Sequence, residues 1–164
     1  NGWGRGLPPA DRNFESWIIQ AELLAHDELR PTTHDIAVAQ AQAFDLLRLR
    51  RSTPLFSLGS AELIHERVTF PASGPRAQPG VIIMVIDDGA GEADVDPALD
   101  GVVVVLNATP HEINQRVDAL VGRFLVLSDV QAHGSDPVVR ETRFDTATGT
   151  VTVPARTVAV LVEH

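Results

Sequence analysis

The stretch that decides the fold closes the chain: RFDTATGTVTVPARTVAVLVEH, residues 143–164. Valines alternate with threonine or alanine in two short runs, and successive side chains of a β-strand point to opposite faces. The segment TATG at 146–149 supplies the residues of a tight turn. We therefore predict a hairpin followed by a final strand, with one side of each strand facing a core.

Working outward from this end, the same pattern of short apolar runs and turn signals continues back to residue 55. The predicted strands are Glu66–Phe70, Val81–Ile86, Val102–Asn107, Ile113–Val117, Arg123–Leu127, Arg140–Phe144, Thr150–Val153 and Thr157–Val162. The runs VIIMVI and VVVV are apolar on both faces, which indicates central strands that are covered on both sides. We predict an antiparallel β-sandwich of about 110 residues at positions 55–164.

The first third of the chain has a helical period instead. Asp11 is the predicted cap of a first helix, whose apolar residues lie at helical spacing from Phe14 onward. Thr32 and Asp35 form a T-x-x-D capping box for a second helix, and Pro54 follows its end. A short helical turn at Ala61–His65 is expected before the first strand.

Composition excludes several classes of function. The chain has 164 residues, 44% of them hydrophobic, so a substantial core is expected. A net charge of −9 argues against binding to nucleic acid or to an anionic membrane, because phosphate binding needs a basic patch. The absence of cysteine excludes disulfides and thiolate metal sites.

The acidic segment DDGAGEADVD at 87–96 is the candidate cation site. Carboxylates of Asp87, Asp88, Asp94 and Asp96 are the oxygen ligands that Ca²⁺ prefers, but their order fits no EF-hand loop. A solvated loop between two strands is the favoured interpretation. The six histidines show no ligand spacing, so zinc is not expected, and no cofactor is predicted. The Ser-Asp pairs at 128–129 and 135–136 are predicted to be loop residues.

Several segments resemble the pullulanase-type α-1,6-glucosidases, the bacterial starch-debranching enzymes of the α-amylase superfamily. The opening NGWGRGLPPA (1–10) is similar to a loop that follows the eighth strand of their catalytic (β/α)8 barrel. The stretch RRSTPLFSLG (50–59) resembles the exit from the last barrel helix, and VPARTVAV (153–160) the end of the closing β-sandwich. The resemblance implies that residues 1–54 are a remnant of the barrel and 55–164 the C-terminal sandwich domain.

The resemblance also implies a role. The parent would hydrolyse α-1,6-glucosidic branch links in pullulan, starch or glycogen, with catalytic carboxylates from barrel strands that this chain lacks. We therefore expect a non-catalytic C-terminal fragment whose partner is the barrel, and no catalytic residue is assigned. Asn1 and Trp3 are the candidate contacts to the α-glucan in the parent, since an indole offers a flat apolar face. Because such enzymes are often secreted or attached to the cell surface, an extracellular parent is favoured.

Two alternatives stay open. An independent α-glucan-binding module would need exposed aromatic side chains, but after residue 54 only Phe56, Phe70, Phe124 and Phe144 remain. Strand spacing predicts that several of these lie in the core. A protein–protein module would need an exposed apolar patch, which the helices could supply. The same patch predicts self-association of the chain alone.

Overall fold

The computed structural model describes residues 6–75, 77–91 and 93–164. Helices dominate the first part of this chain and strands the second. The helices are α1 Ala10–Asn13, α2 Trp17–Ala25, α3 Thr33–Arg50, α4 Ala61–Arg67 and α5 Asp129–Ala132. The strands are β1 Val68–Thr69, β2 Val81–Asp87, β3 Gly101–Asn107, β4 Ile113–Arg116, β5 Leu125–Leu127, β6 Arg143–Asp145, β7 Thr150–Val153 and β8 Thr157–Glu163. The predicted class, helices followed by antiparallel β-structure, is confirmed.

The strands form two antiparallel sheets. The larger has the order β1-β2-β3-β8-β5, and the smaller has the order β4-β7-β6. The closing stretch behaves as predicted: β6 and β7 form a hairpin in the smaller sheet, and β8 then joins the larger one. Because β7 and β8 lie in different sheets, the last 22 residues connect the two layers.

The larger sheet packs against other parts of the chain on both faces, and its outer face is covered only in part. Its inner face packs against the smaller sheet in a first apolar cluster that includes Ile83, Val103, Val105, Val151, Val153 and Leu161. Its outer face carries a second cluster, which includes Leu49, Leu55, Ile86, Val102, Val104 and Val160. The prediction that the VIIMVI and VVVV runs are central strands is therefore confirmed. In VVVV, positions 103 and 105 belong to the first cluster and 102 and 104 to the second; in VIIMVI, positions 81, 83 and 85 contribute to the first and 84 and 86 to the second, whereas Ile82 is exposed.

Two compact units divide the chain, Asn1–Ala43 and Phe44–His164. The boundary falls inside α3. In the first unit, α3 begins with the predicted capping box. The amide of Thr32 donates to Asp35 Oδ2 at 2.8 Å, and the amide of Asp35 donates to Thr32 Oγ1 at 3.2 Å. Within the described ranges, no helix combines the length and the hydropathy that a membrane span needs.

Some element boundaries differ from those predicted. Pro9, not Asp11, precedes the first helical residue, so Asp11 lies in the first turn of α1. Helix α4 extends to Arg67, two residues into the predicted strand Glu66–Phe70. The hydroxyl of Ser60 accepts a hydrogen bond from the amide of Leu63 and caps the start of α4. The helix then continues as far as Arg67, whose side chain is buried.

Three further differences follow from short helical turns. Val139–Glu141 form a 3-10 turn, which delays β6 to Arg143–Asp145. The turn Asp118–Leu120 similarly precedes β5, which begins at Leu125 rather than Arg123. Asp129 lies in α5 and not in a loop. Each is a single turn, too short for the helical period to emerge in the sequence.

Candidate functional site

The acidic segment is organised around a buried ion pair. The side chains of Arg67 and Asp88 are 1% and 3% exposed, and a guanidinium nitrogen of Arg67 contacts Asp88 Oδ1. Arg67 also donates to the carbonyl of Asp88 at 2.8 Å and to that of Ala93. The Asp88 carboxylate accepts the amide of Val95 at 3.1 Å and that of Asp96 at 2.7 Å. This carboxylate is therefore fully occupied by the protein.

The other predicted acidic residues have partners of their own or face outward. Asp87 accepts the amide of Gly89 at 3.0 Å and a guanidinium N–H of Arg123 at 3.3 Å. Asp96 accepts the amide of Ala98 at 3.1 Å, and Asp94 is exposed. In the part of the chain that the structure describes, no group of three or more His, Asp or Glu is placed to hold a metal ion.

The arrangement gives the acidic segment a structural use. Val95 and Leu99 pack against the second apolar cluster on the outer face of the larger sheet. Arg67 and Asp88 hold the segment that carries these side chains in place. The ion pair thus fastens a covering loop to the sheet.

A second polar contact ties the end of α3 to the β-sandwich. Asp45 Oδ2 accepts the amide and the hydroxyl of Ser135, each at 2.6 Å. These hydrogen bonds, the hydroxyl's first, lower the pKa of Asp45 from its ordinary value of 3.8, and Arg48 lowers it further. Gly134 leaves room for this contact, since a Cβ there would lie 2.6 Å from the carbonyl oxygen of Val130 and 3.0 Å from Asp45 Oδ2.

The first unit presents apolar side chains to its surface. No residue of α2 is buried, and Ile18 and Ile19 are 81% and 65% exposed. Phe14 and Trp17 lie with ring centroids 5.5 Å apart and line an almost entirely apolar cleft with Leu7. The indole N–H of Trp17 donates to the carbonyl of Pro8 at 2.9 Å. The candidate glucan contacts Asn1 and Trp3 lie outside the described residues.

The aromatic residues of the second unit are less buried than strand spacing predicts. Phe56 and Phe144 are partly buried against the two clusters, but Phe70 is 48% and Phe124 77% exposed. Phe124 directly precedes β5, an edge strand of the larger sheet, which has a neighbouring strand on one side only. The expectation that several of these rings lie in the core therefore holds for only two.

Sequence reasoning missed Arg67, Asp45 and Gln131. All three are polar side chains with partners at least 21 residues away in the sequence, and short-range spacing carries no signal for those contacts. None of the three geometries has the exposed, convergent groups of a catalytic centre.

Comparison of the sequence with known protein families shows to which family the chain belongs. Residues 1–164 match the family described as the C-terminal region of pullulanase-type α-1,6-glucosidases. The chain belongs to this family. The resemblance drawn from the opening loop, the helix exit and the closing strands is thereby confirmed.

Curated pullulanases are similar over nearly the whole chain. Pullulanase 1, chloroplastic, of Arabidopsis thaliana is 39% identical over 99% of the chain and 17% of its own length. Pullulanase of Klebsiella pneumoniae is 38% identical over 98% of the chain and 15% of its own length. The chain therefore spans only about a sixth of the length of these relatives.

Solved structures of pullulanases contain a region with the same fold as this chain. Ligand-free PulA from Klebsiella pneumoniae superposes with a TM-score of 0.82 at 32% identity, covering 96% of the chain and 15% of PulA. The maltotriose complex of PulA from the same organism superposes with the same TM-score, and this match covers 17% of the PulA chain. The two-sheet fold with its preceding helices is thus the fold of this region in the pullulanases.

Proposed function

We propose that the chain is the non-catalytic closing domain of an enzyme that hydrolyses α-1,6-glucosidic branch links in pullulan, starch or glycogen. In this role it supports the catalytic barrel of the parent. The observation that carries the proposal is the family match over residues 1–164, with relatives that are several times longer.

Exposed apolar helices support a role as part of a larger body. A helix that is apolar on most of its circumference is normally buried on most sides. Helix α2 has this composition, yet Ile18, Ile19 and Leu23 are exposed. The domain division that we propose is therefore a barrel remnant at 1–54 and the sandwich at 55–164. The remnant would pack against the rest of the barrel.

The polar chemistry of the described residues fits support rather than catalysis. Retaining glycosidases place a nucleophilic carboxylate and an acidic carboxyl group about 5–5.5 Å apart, on either side of the scissile bond. The two best organised carboxylates of this chain, Asp88 and Asp45, are instead filled by hydrogen bonds from the protein. In the parent, Asn1 and Trp3 would contribute contacts to the glucan at the barrel rim, where such enzymes keep their active sites.

A chimera tests the proposal. Pullulanase of Klebsiella pneumoniae is made in three forms: intact, without the segment that matches this chain, and with this chain in place of that segment. We expect the chimera to hydrolyse pullulan and the truncated form to lose activity or heat resistance. The purified chain alone should release no reducing ends. A chimera neither more active nor more heat-resistant than the truncated form would overturn the supporting role, and hydrolysis by the chain alone would overturn the non-catalytic one.

The independent α-glucan-binding module remains the second candidate, and the exposure of Phe124 is the observation that favours it. An aromatic ring at a sheet edge can stack against a sugar. One ring without convergent polar groups is a weak platform, so binding of maltotriose by the isolated chain should be absent.

A further inference from the structure

Two side chains hold the end of the opening loop against the first helical turns. The indole N–H of Trp17 donates to the carbonyl of Pro8 at 2.9 Å. The side-chain amide of Asn13 donates to the carbonyl of Pro9, also at 2.9 Å. Proline has no backbone N–H, so its carbonyl is the only backbone hydrogen-bonding group through which either residue can be held. We call residues 7–9, which end the opening loop, the loop exit.

Trp17 differs from the residues that follow it in α2. Ile18 and Ile19 are among the exposed apolar side chains of the first unit, whereas Trp17 is partly buried. Its ring lies 5.5 Å from that of Phe14, and both rings line the apolar cleft that Leu7 also lines. Trp17 is therefore joined to the loop exit by a hydrogen bond and shares an apolar cleft with it.

The loop exit has a restricted backbone, so that fixing it also orients the chain before it. A proline ring holds φ near −65°, and Pro9 has a φ of −51°. Pro8 precedes another proline, which disfavours the helical region at its own position. Upstream the sequence has glycine at positions 2, 4 and 6, and glycine restricts the backbone least of all residues. A loop of this composition takes its position from the contacts at its end.

We propose that Trp17 is a positioning residue for the opening loop, and that Asn13 assists it. Through the Pro8 carbonyl, Trp17 sets where the loop presents Asn1 and Trp3 to the α-glucan in the parent enzyme. This inference rests on the proposed function, in which those two residues contact the glucan. Trp17 does not touch the substrate in this role. The competing role is ordinary packing within the first unit, which would affect stability alone.

The chimera with the Klebsiella pneumoniae enzyme provides the test, because it contains the catalytic barrel. Trp17→Phe keeps an aromatic ring beside Phe14 but removes the N–H that the Pro8 carbonyl accepts. Phe14→Leu is the matched control, since it alters the same ring pair and leaves that hydrogen bond in place. Each substitution is made alone and together with Trp3→Ala. The KM and kcat for pullulan and the melting temperature are measured for every form.

We expect Trp17→Phe to raise the KM for pullulan about three- to tenfold with little change in kcat, which is the effect of losing one hydrogen bond that supports binding. In the Trp3→Ala chimera the same substitution should raise KM no further, because the effects of residues that act through one another are not additive. Phe14→Leu should leave KM nearly unchanged, although both variants lower the melting temperature.

Three results in an active chimera would overturn the inference and leave the proposed function standing. They are an unchanged KM in Trp17→Phe, a rise of the same size in the Trp3→Ala background, and a rise in Phe14→Leu as large as that in Trp17→Phe. A chimera that is inactive with its natural residues would overturn both. If the melting curve shows that Trp17→Phe does not fold, Asn13→Ala removes the second hydrogen bond and is tested in the same way, with the same expected and contrary results.

Discussion

At the scale of single residues, the covering loop depends on a fully buried arginine, Arg67. Arg67 satisfies the Asp88 carboxylate and two carbonyl groups, and its Nε has no hydrogen-bond partner in the described structure. Removing one partner of a buried ion pair leaves an uncompensated charge, which costs more than the pair itself contributes. The covering loop should therefore be sensitive to either side chain.

Arg67→Met is expected to lower the free energy of unfolding by about 3–5 kcal/mol, because it leaves the Asp88 carboxylate buried without its cation. Urea unfolding followed by circular dichroism measures this. The matched control is Arg116→Met, whose ion pair with Asp118 is exposed and should be worth less than about 1 kcal/mol. Similar losses in the two variants would contradict the account of the loop.

Asp45 makes stability depend on pH. Its folded-state pKa is lowered by the hydroxyl and then the amide of Ser135, so its contribution is present above the unfolded pKa near 3.8 and is lost as pH falls through the folded pKa. The melting temperature of Asp45→Asn should therefore lie below that of the natural chain at pH 7 and approach it in acid. Ser135→Ala should behave in the same way. A difference that stayed constant from neutral to acidic pH would refute this role.

At the scale of elements, α5 continues a β-ladder with a side chain. Strand β5 pairs with β8 over three residues, of which Leu127 is the last. The amide of Ser128 then donates to the carbonyl of Val160. Beyond that point Gln131 takes over: its Nε2 donates to the carbonyl of Val158, and its Oε1 accepts the amide of Val160, both at 2.7 Å. The primary amide thus replaces a strand residue at the sheet edge.

Gln131→Ala should lower the free energy of unfolding by about 1–3 kcal/mol, since it leaves the amide of Val160 buried without an acceptor. Chemical denaturation is the measurement. Gln115→Ala removes only an exposed hydrogen bond to Arg116 and provides the control. If both variants unfolded at the same denaturant concentration as the natural chain, the amide would not be part of the ladder.

The elements also show what the sequence alone could predict. Alternation and turn residues located the strands of the closing hairpin, and the capping box located the start of α3, because these signals act over a few residues. The end of α4 was missed, because Arg67 is held by Asp88 and Ala93, and no local pattern announces such a partner. The exposure of Phe124 was missed because strand spacing does not tell an edge strand from a central one.

At the scale of the whole molecule, exposed apolar side chains should make the isolated chain associate. Ile18→Glu together with Ile19→Glu is expected to shift sedimentation toward the monomer, since it places charges on the most exposed large apolar side chains of α2. Val121→Glu, on a 45% exposed position of the second unit, is the control. A natural chain that stays monomeric at high concentration would contradict this prediction.

The family could be recognised from the sequence because several segments resemble it, whereas the exposed apolar surfaces became visible only in the structure. The opening loop, the helix exit and the VPARTVAV ending indicated the family, which the match over residues 1–164 confirms. The partial cover of the outer face of the larger sheet could not be predicted, because it depends on how far Leu49 and Leu55 extend across that face.

If this chain is a supporting domain that neither hydrolyses glucan nor binds it independently, titration with maltotriose and pullulan, followed through the amide resonances by NMR, should show it. The account predicts no saturable shifts at millimolar sugar and no release of reducing ends. Saturable shifts that map to residues beyond 54, around Phe124 in particular, would contradict it and establish an independent glucan-binding module.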